Sequence, residues 1–236
     1  MADRQVHIMV VGAHAGDAEL MAGGLLAKYH LLGHKTSIVH MTLGEKGNRA
    51  LSPEEYAKQK RQEAEAAASV LGADVYFLPY KDAELPYCDK AAYMLCDIIR
   101  KAKPNLLITH WEGSIHKDHT NTSKIVRDAQ FYAALPTIKR DLPHHGCWQI
   151  AYAENWEDPK GFEPDTYVDI TEGYDTFIKA ARKYEMVSGK ISSFRYQEYY
   201  EALATTRGCL SNFQKAECYM MPEGALVRKS GRFPGF

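Results

Sequence analysis

The sequence has little cysteine and no cysteine pattern. Its five cysteines, Cys88, Cys96, Cys147, Cys209 and Cys218, are scattered, odd in number and without CxxC spacing. That argues against a disulfide-stapled secreted scaffold and against a thiolate metal knuckle, and reads as reduced thiols in a cytoplasmic protein. No apolar run approaches the roughly 18 residues of a membrane helix. The opening MADRQVHIMVVG is too short and wrongly charged for a signal peptide. Excess charge of one sign is also missing: 29 Lys and Arg against 30 Asp and Glu leave a net charge of −1. Neither nucleic acid nor an anionic membrane surface is therefore expected as a partner. With no internal repeat, low-complexity tract or linker, the 236 residues are read as a single domain, 1–236.

What is present is globular. Hydrophobic residues make up 45% and charged residues 25%, and the length is enough for one proper core. The first half alternates strand and helix. The apolar run 5–13 suits a parallel strand covered on both faces. A helix is expected over 18–32, with Leu25, Tyr29 and Leu32 on one stripe and Gly33 as the stop. Strand 35–43 follows, then the polar loop GEKGNRA. Ser52, Pro53 and Glu55 announce a capped helix that runs to Leu71 before Gly72. Strand 75–80, helix 89–102, strand 105–111 and a helix to about 134 complete the pattern. Helix 89–102 carries Leu95, Ile98, Ile99 and Ala102 on its buried face. Strands are expected around 147–155 and 166–170, helices over 171–187 and 192–206, and a last short strand in KAECYMM. The fold class is α/β: a Rossmann-like parallel sheet flanked by helices, with a smaller irregular C-terminal portion. Ligands of such sheets bind at the carboxyl ends of the strands.

Two clusters fall at that edge. One is His14-Ala15-Gly16-Asp17-Ala18-Glu19 and the other His116-Lys117-Asp118-His119. Two imidazoles and a carboxylate with open positions suit zinc or a similar divalent ion. His116 and His119 lie one helical turn apart, so one imidazole can ligate while the other donates to a developing oxyanion. Asp118 can orient an imidazole. The plainer alternative is that Asp17 and Asp118 merely cap the helices that follow them. His7, His30, His34, His40 and His144 are read as structural or solvated. VGAHAG lacks the GxGxxG fingerprint, and His40, Met41 and Thr42 stand where a dinucleotide site needs an acid.

These residues resemble the PIG-L/LmbE-type metal-dependent deacetylases, which include N-acetylglucosaminyl-phosphatidylinositol, mycothiol-pathway and bacillithiol-pathway de-N-acetylases. The family's AHPDDxE stands here as AHAGDAE and its HxDH as HKDH. MTLGEKG (41–47), the stretch 60–85 and RGCLSNFQKAECY (207–219) match further family segments in the same order. The resemblance implies a zinc-dependent hydrolase that removes an N-acyl group, acetyl, from an amino sugar or related small amide. It implies His14, Asp17 and His119 as metal ligands, His116 as the imidazole that stabilises the oxyanion, and Asp118 as the neighbour that fixes its tautomer or charge. Lys60 stands where the family carries a substrate-anchoring arginine; Arg61, one residue on, points about 100° away on a helix. Relatives are often oligomeric, so a homo-oligomer is expected, and the aromatic group 194–203 is read as core or interface.

The chain departs from the family at Gly16, where the resemblance places the aspartate that serves as general base. Three consequences stand open. Another carboxylate, Glu45 or Asp82, reaches the water; the metal and His116 manage alone; or the protein binds metal and ligand with weak or no hydrolysis. Tyr184 is read first as a packed aromatic, with oxyanion assistance as the alternative. The segment 143–148, with His145, is a candidate for the rim of the opening. Cys147 has no base partner that would make it a nucleophile.

Overall fold

The computed structural model describes residues 5–147, 149–158, 160–189, 191–222 and 228–230. Strand β1 (His7–Gly12) is buried at every residue, which is why its sequence is apolar without alternation. Ile8 and Val10 face one core, and Met9 and Val11 face the other. Helices α1 (Asp17–Leu31), α2 (Pro53–Leu71) and α5 (Tyr174–Ala181) cover the first side. Helices α3 (Asp89–Ala102) and α4 (Lys117–Ala134) cover the second. The other strands are β2 (Lys35–Thr42), β3 (Asp74–Tyr80), β4 (Leu106–His110), β5 (Gln149–Ala153), β6 (Thr166–Asp169), β7 (Ala216–Met220) and β8 (Arg228–Ser230). Helix α6 (Tyr196–Ser211) precedes β7.

Among the described residues the strands form one sheet in the order β3-β2-β1-β4-β5-β7-β6-β8. The first five are mutually parallel; β7 runs antiparallel to β5 and β6, and β8 pairs parallel with β6. The chain order reverses direction at β1, which has β2 on one side and β4 on the other. A reversal of this kind opens a crevice beyond the carboxyl ends of the two strands. No helix among the described residues is long and apolar enough to cross a membrane.

The capped start of α2 forms as its sequence requires. Ser52 Oγ accepts from Glu55 N, Glu55 Oε2 accepts from Ser52 N, and Gly72 ends the helix in the left-handed region. Helix α1 is kinked at Ala22, whose φ is −149°. Glu217 on β7 receives the N–H groups of Gly24 and Leu25 at 2.8 and 3.0 Å, so the kink leaves no amide of this pair orphaned.

Some expected boundaries are corrected. Leu32 is 38% exposed and leaves the stripe of Leu25 and Tyr29, which are both buried. The helix expected over 171–187 is only Tyr174–Ala181. It ends because residues 180–188 tighten into turns, with Tyr184 N bonded to Ala181 O and Val187 N to Tyr184 O, as Tyr184 rotates into the core. The next helix begins later than 192 and continues to Ser211, where Asn212 takes the left-handed cap. The C-terminal portion is less irregular than expected, since β6, β7 and β8 extend the main sheet.

Candidate active site

The two sequence clusters meet. His14 follows β1 by two residues, Asp17 opens α1, and His119 lies in the first turn of α4. His14 Nδ1 is 3.2 Å from Asp17 Oδ2, His119 Nε2 is 3.3 Å from the same oxygen, and the two nitrogens are 3.3 Å apart. Three donor atoms thus form a nearly equilateral triangle. A tetrahedral ion with ligand bonds of about 2.0–2.1 Å has edges of about 3.3 Å. Two ring nitrogens facing each other beside one carboxylate oxygen are a nitrogen–nitrogen–oxygen donor set that fits a borderline divalent cation.

The local backbone makes this possible. Gly16 has φ 113° and ψ −28°, a conformation that L side chains rarely adopt. It lets the loop turn back so that Asp17 Oδ2 also accepts from His14 N at 2.8 Å. Gly44, after β2, packs on His14; a Cβ there would stand 3.1 Å from the His14 Cβ.

Behind the triangle each imidazole has a carboxylate. His14 Nε2 lies 3.2 Å from Asp82 Oδ1 and 3.4 Å from Asp118 Oδ2. His119 Nδ1 lies 3.1 Å from Glu157 Oε2 and 3.2 Å from Ser114 Oγ. A carboxylate on the far nitrogen directs the near lone pair towards a metal. His110, the last residue of β4, stacks on His119 with ring centroids 3.9 Å apart and accepts from Ala13 N at 3.0 Å.

His116 differs from the other three. Its Nδ1 accepts from Asp118 N at 3.1 Å and caps α4. An Nδ1 that accepts carries no proton, so the neutral ring keeps its proton on Nε2 as a donor. The backbone of Asp118, rather than its carboxylate, therefore sets the tautomer of His116. The carboxylate itself accepts from Ala83 N at 2.7 Å.

The charges follow from these contacts. Burial opposes charge on His14, but Asp17, Asp118 and Asp82 outweigh it and hold the imidazole well above its usual range. Burial likewise opposes ionisation of Asp17, and His119 and His14 outweigh it, so the carboxylate titrates well below its usual range. Burial, reinforced by His110, pushes His119 down to about 4. Burial and the neighbouring His14 also lower His116. A cluster whose members disagree this strongly about their protons is a feature of functional sites.

The centre lies at the bottom of a cleft of about 260 Å³. Lys60, Asp82, Trp156, Glu157, Tyr196 and Tyr200 are among the residues in its walls. Sequence reasoning missed Glu157 and His110; Tyr196 and Tyr200, read as core or interface, do pack in the core and also line the cleft. Of the two carboxylates considered as substitutes at Gly16, Asp82 lines the cleft, whereas Glu45 does not and accepts instead from Asp82 N at 2.9 Å. Arg61 is no stand-in for Lys60: its guanidinium lies 4.1 Å from the centroid of the Phe77 ring, and it is not among the cleft residues. Tyr184 is packed, with its hydroxyl donating to buried Glu19 Oε1 at 2.6 Å. His145 Nε2 donates to Pro104 O at 2.7 Å, at the amino end of β4 and so at the wrong edge of the sheet for the opening. Trp148 lies outside the described residues.

The chain is similar to several known proteins. A 4-oxalmesaconate hydratase from Pseudomonas putida is 27% identical over 86% of this chain and 80% of its own. A diacetylchitobiose deacetylase from Thermococcus kodakarensis is 23% identical over 89% and 80%. The crystal structure of the conserved protein TT1542 from Thermus thermophilus superposes with a TM-score of 0.83 at 23% identity, covering 97% of this chain and 100% of that one, and so shares its fold. Residues 9–130, more than half of the chain, match the family described as PIG-L: GlcNAc-PI de-N-acetylase. The matched range runs from β1 into α4 and so includes the loops that carry His14, Asp17 and His119: the chain belongs to the PIG-L family of metal-dependent enzymes.

Proposed function

We propose that the protein is a zinc-dependent hydrolase, or one using a similar divalent ion, that removes an acetyl group from the nitrogen of an amino sugar or related small amide. The observation that carries this reading is the triangle of His14 Nδ1, Asp17 Oδ2 and His119 Nε2. His14, Asp17 and His119 would hold the ion, which when bound would polarise the amide carbonyl and acidify a water towards a pKa of about 7. His116 faces the same cleft with Nε2–H as its donor, suited to the carbonyl oxygen as that oxygen gains charge. Asp118 holds that ring through its amide, and Lys60 in the wall is the cation available to the rest of the substrate. Water adds to the carbonyl carbon, the C–N bond breaks, and the products are acetate and the free amine.

Asp82 and Glu157 are the cleft carboxylates besides Asp17, and each backs a ligand histidine. Both are already engaged with a histidine, so we read neither as a full substitute for an acid at Gly16. A positioned general base typically contributes about 10²–10⁴-fold, so turnover is expected to be slow but present. The free cysteines and the small-molecule cleft support a cytoplasmic enzyme, and the partly exposed aromatics around Phe194 a homo-oligomer. A second reading, addition of water to a double bond, is favoured by the relative named as a 4-oxalmesaconate hydratase.

The test is acetate release from N-acetylglucosamine and its glycosides. Zinc-loaded protein is expected to release acetate, to stop on chelation and to recover on zinc addition. Bound zinc without release from any acetylated amide would favour the hydratase reading or a metal- and ligand-binding role.

A further inference from the structure

We propose that Trp156 is the platform of a ring-binding subsite in the cleft, so that the preferred substrates are acetamides whose amine carries one flat, apolar ring, an aryl or benzyl group. This inference rests on the proposed metal-hydrolase reading and names its substrate class.

The chain presents Trp156 beside the donor atoms and holds it in place. Strand β5 ends at Ala153, and the residues after it close a tight turn. Asn155 N donates to Asp158 Oδ2 and Glu157 N donates to Asn155 Oδ1, each at 3.1 Å. An asparagine that accepts from the amide two residues on fixes the backbone between them. Glu157, from that turn, backs His119 at 3.1 Å, and Trp156, the residue before it, lines the same cleft. Phe194, which is not a cleft residue, stacks on the indole with centroids 4.4 Å apart and planes 23° apart. Tyr196, which is a cleft residue, meets both rings edge-on, at 6.3 Å from Trp156 and 4.7 Å from Phe194. Stacked and edge-on rings at these distances are mutually attractive. With Phe194 behind it, the indole surface left to the cleft is flat and already in position, so a ligand ring orders little on arrival.

Size and polarity select the ring. The cleft holds about 260 Å³. An apolar cavity of about 150 Å³ is enough for benzene, so there is room for one ring beside the acetamide and not for a chain of rings. The cleft carboxylates Asp17, Asp82 and Glu157 are each engaged with a histidine, while Leu20, Met186 and Ile191 add apolar surface to the walls. Burial, with Asp17 and Glu157 adding to it, pushes the Tyr196 phenol up to about 12, so it meets the ring uncharged. Each hydroxyl of a sugar ring needs a partner when it leaves water. A ring without hydroxyls needs none, and its burial against Trp156 gains from area and from ring–ring contact together.

The test uses the full-length zinc-loaded protein and two acetamides that differ by the ring, N-benzylacetamide and N-methylacetamide, with N-acetylglucosamine as the hydroxylated ring. Dissociation constants come from calorimetry or ligand NMR. The native protein is expected to bind N-benzylacetamide about tenfold or more tighter than either of the others. Trp156→Ala is expected to reduce that preference to about threefold or less, and Trp156→Phe to keep most of it, with zinc content unchanged in both. The native protein is also expected to show NOEs between the phenyl protons of the bound probe and an indole, a readout that stands even if Trp156→Ala does not fold. Equal affinities for the two acetamides, tighter binding of N-acetylglucosamine, absence of those NOEs, or a preference unchanged in Trp156→Ala overturns the ring subsite, while zinc binding leaves the metal reading standing. Failure of the native protein to take up zinc overturns the metal reading, and this inference with it.

Discussion

His119→Ala is expected to weaken zinc binding by at least about a hundredfold and to stop acetate release. Loss of an outer-shell partner alone costs metal sites roughly 10–100-fold, and His119 supplies a donor atom 3.3 Å from both of its fellow donors. Zinc uptake by the native protein also has an expected pH dependence. With no metal bound, His14 keeps its proton because Asp17, Asp118 and Asp82 outweigh the effect of burial. A ligating nitrogen must be unprotonated, so binding releases about one proton and tightens as pH rises. His119, already held down to about 4, has no proton to lose near neutrality. Calorimetry in buffers of different ionisation enthalpy reads both the affinity and the proton count. Zinc binding by His119→Ala with native affinity would remove His119 from the ligand set.

His116→Ala is expected to leave zinc content unchanged and to lower kcat by about 10²–10³-fold, the usual effect of deleting one oxyanion donor. KM should move little, since the donor acts on charge that develops during reaction. The geometry behind this is the bond from Asp118 N to His116 Nδ1, which leaves the proton on Nε2. The substitution also deletes a helix cap, costing about 0.5–2 kcal/mol of stability. Thermal unfolding measured alongside the kinetics separates the two effects. A kcat within a few-fold of native would show that His116 is only a cap.

The sequence reveals most of what is local. The unbroken apolar run of β1 announces a buried central strand, and the capping box at Ser52 fixes the start of α2. The clusters 14–19 and 116–119 stand out because they fall just beyond strand ends at the edge where such sheets bind ligands, and the family resemblance singles out His14, Asp17 and His119 within them. Features that depend on contacts distant in sequence are not legible. Glu157 reaches His119 from the loop after β5, and nothing in its own neighbourhood marks it. His110 looks like an ordinary strand residue until the fold stacks it on His119. Asp118 reads as a side chain orienting a histidine, and the fold divides that between two: its carboxylate lies 3.4 Å from His14 Nε2, while its backbone N–H holds His116. The end of α5 at Ala181 is set by Tyr184 turning inward to Glu19, a partner 165 residues away. Gly16 is legible, through the family resemblance, as a departure from the motif. Its positive φ is not, and that φ means that an aspartate restored there would meet a backbone shaped for glycine.

The most direct test of the central claim is an anomalous-difference map at the zinc edge from crystals grown with zinc. The expected result is one strong peak about 2.0–2.1 Å from His14 Nδ1, Asp17 Oδ2 and His119 Nε2. No peak at that triangle, or a peak held by other residues, would contradict the account.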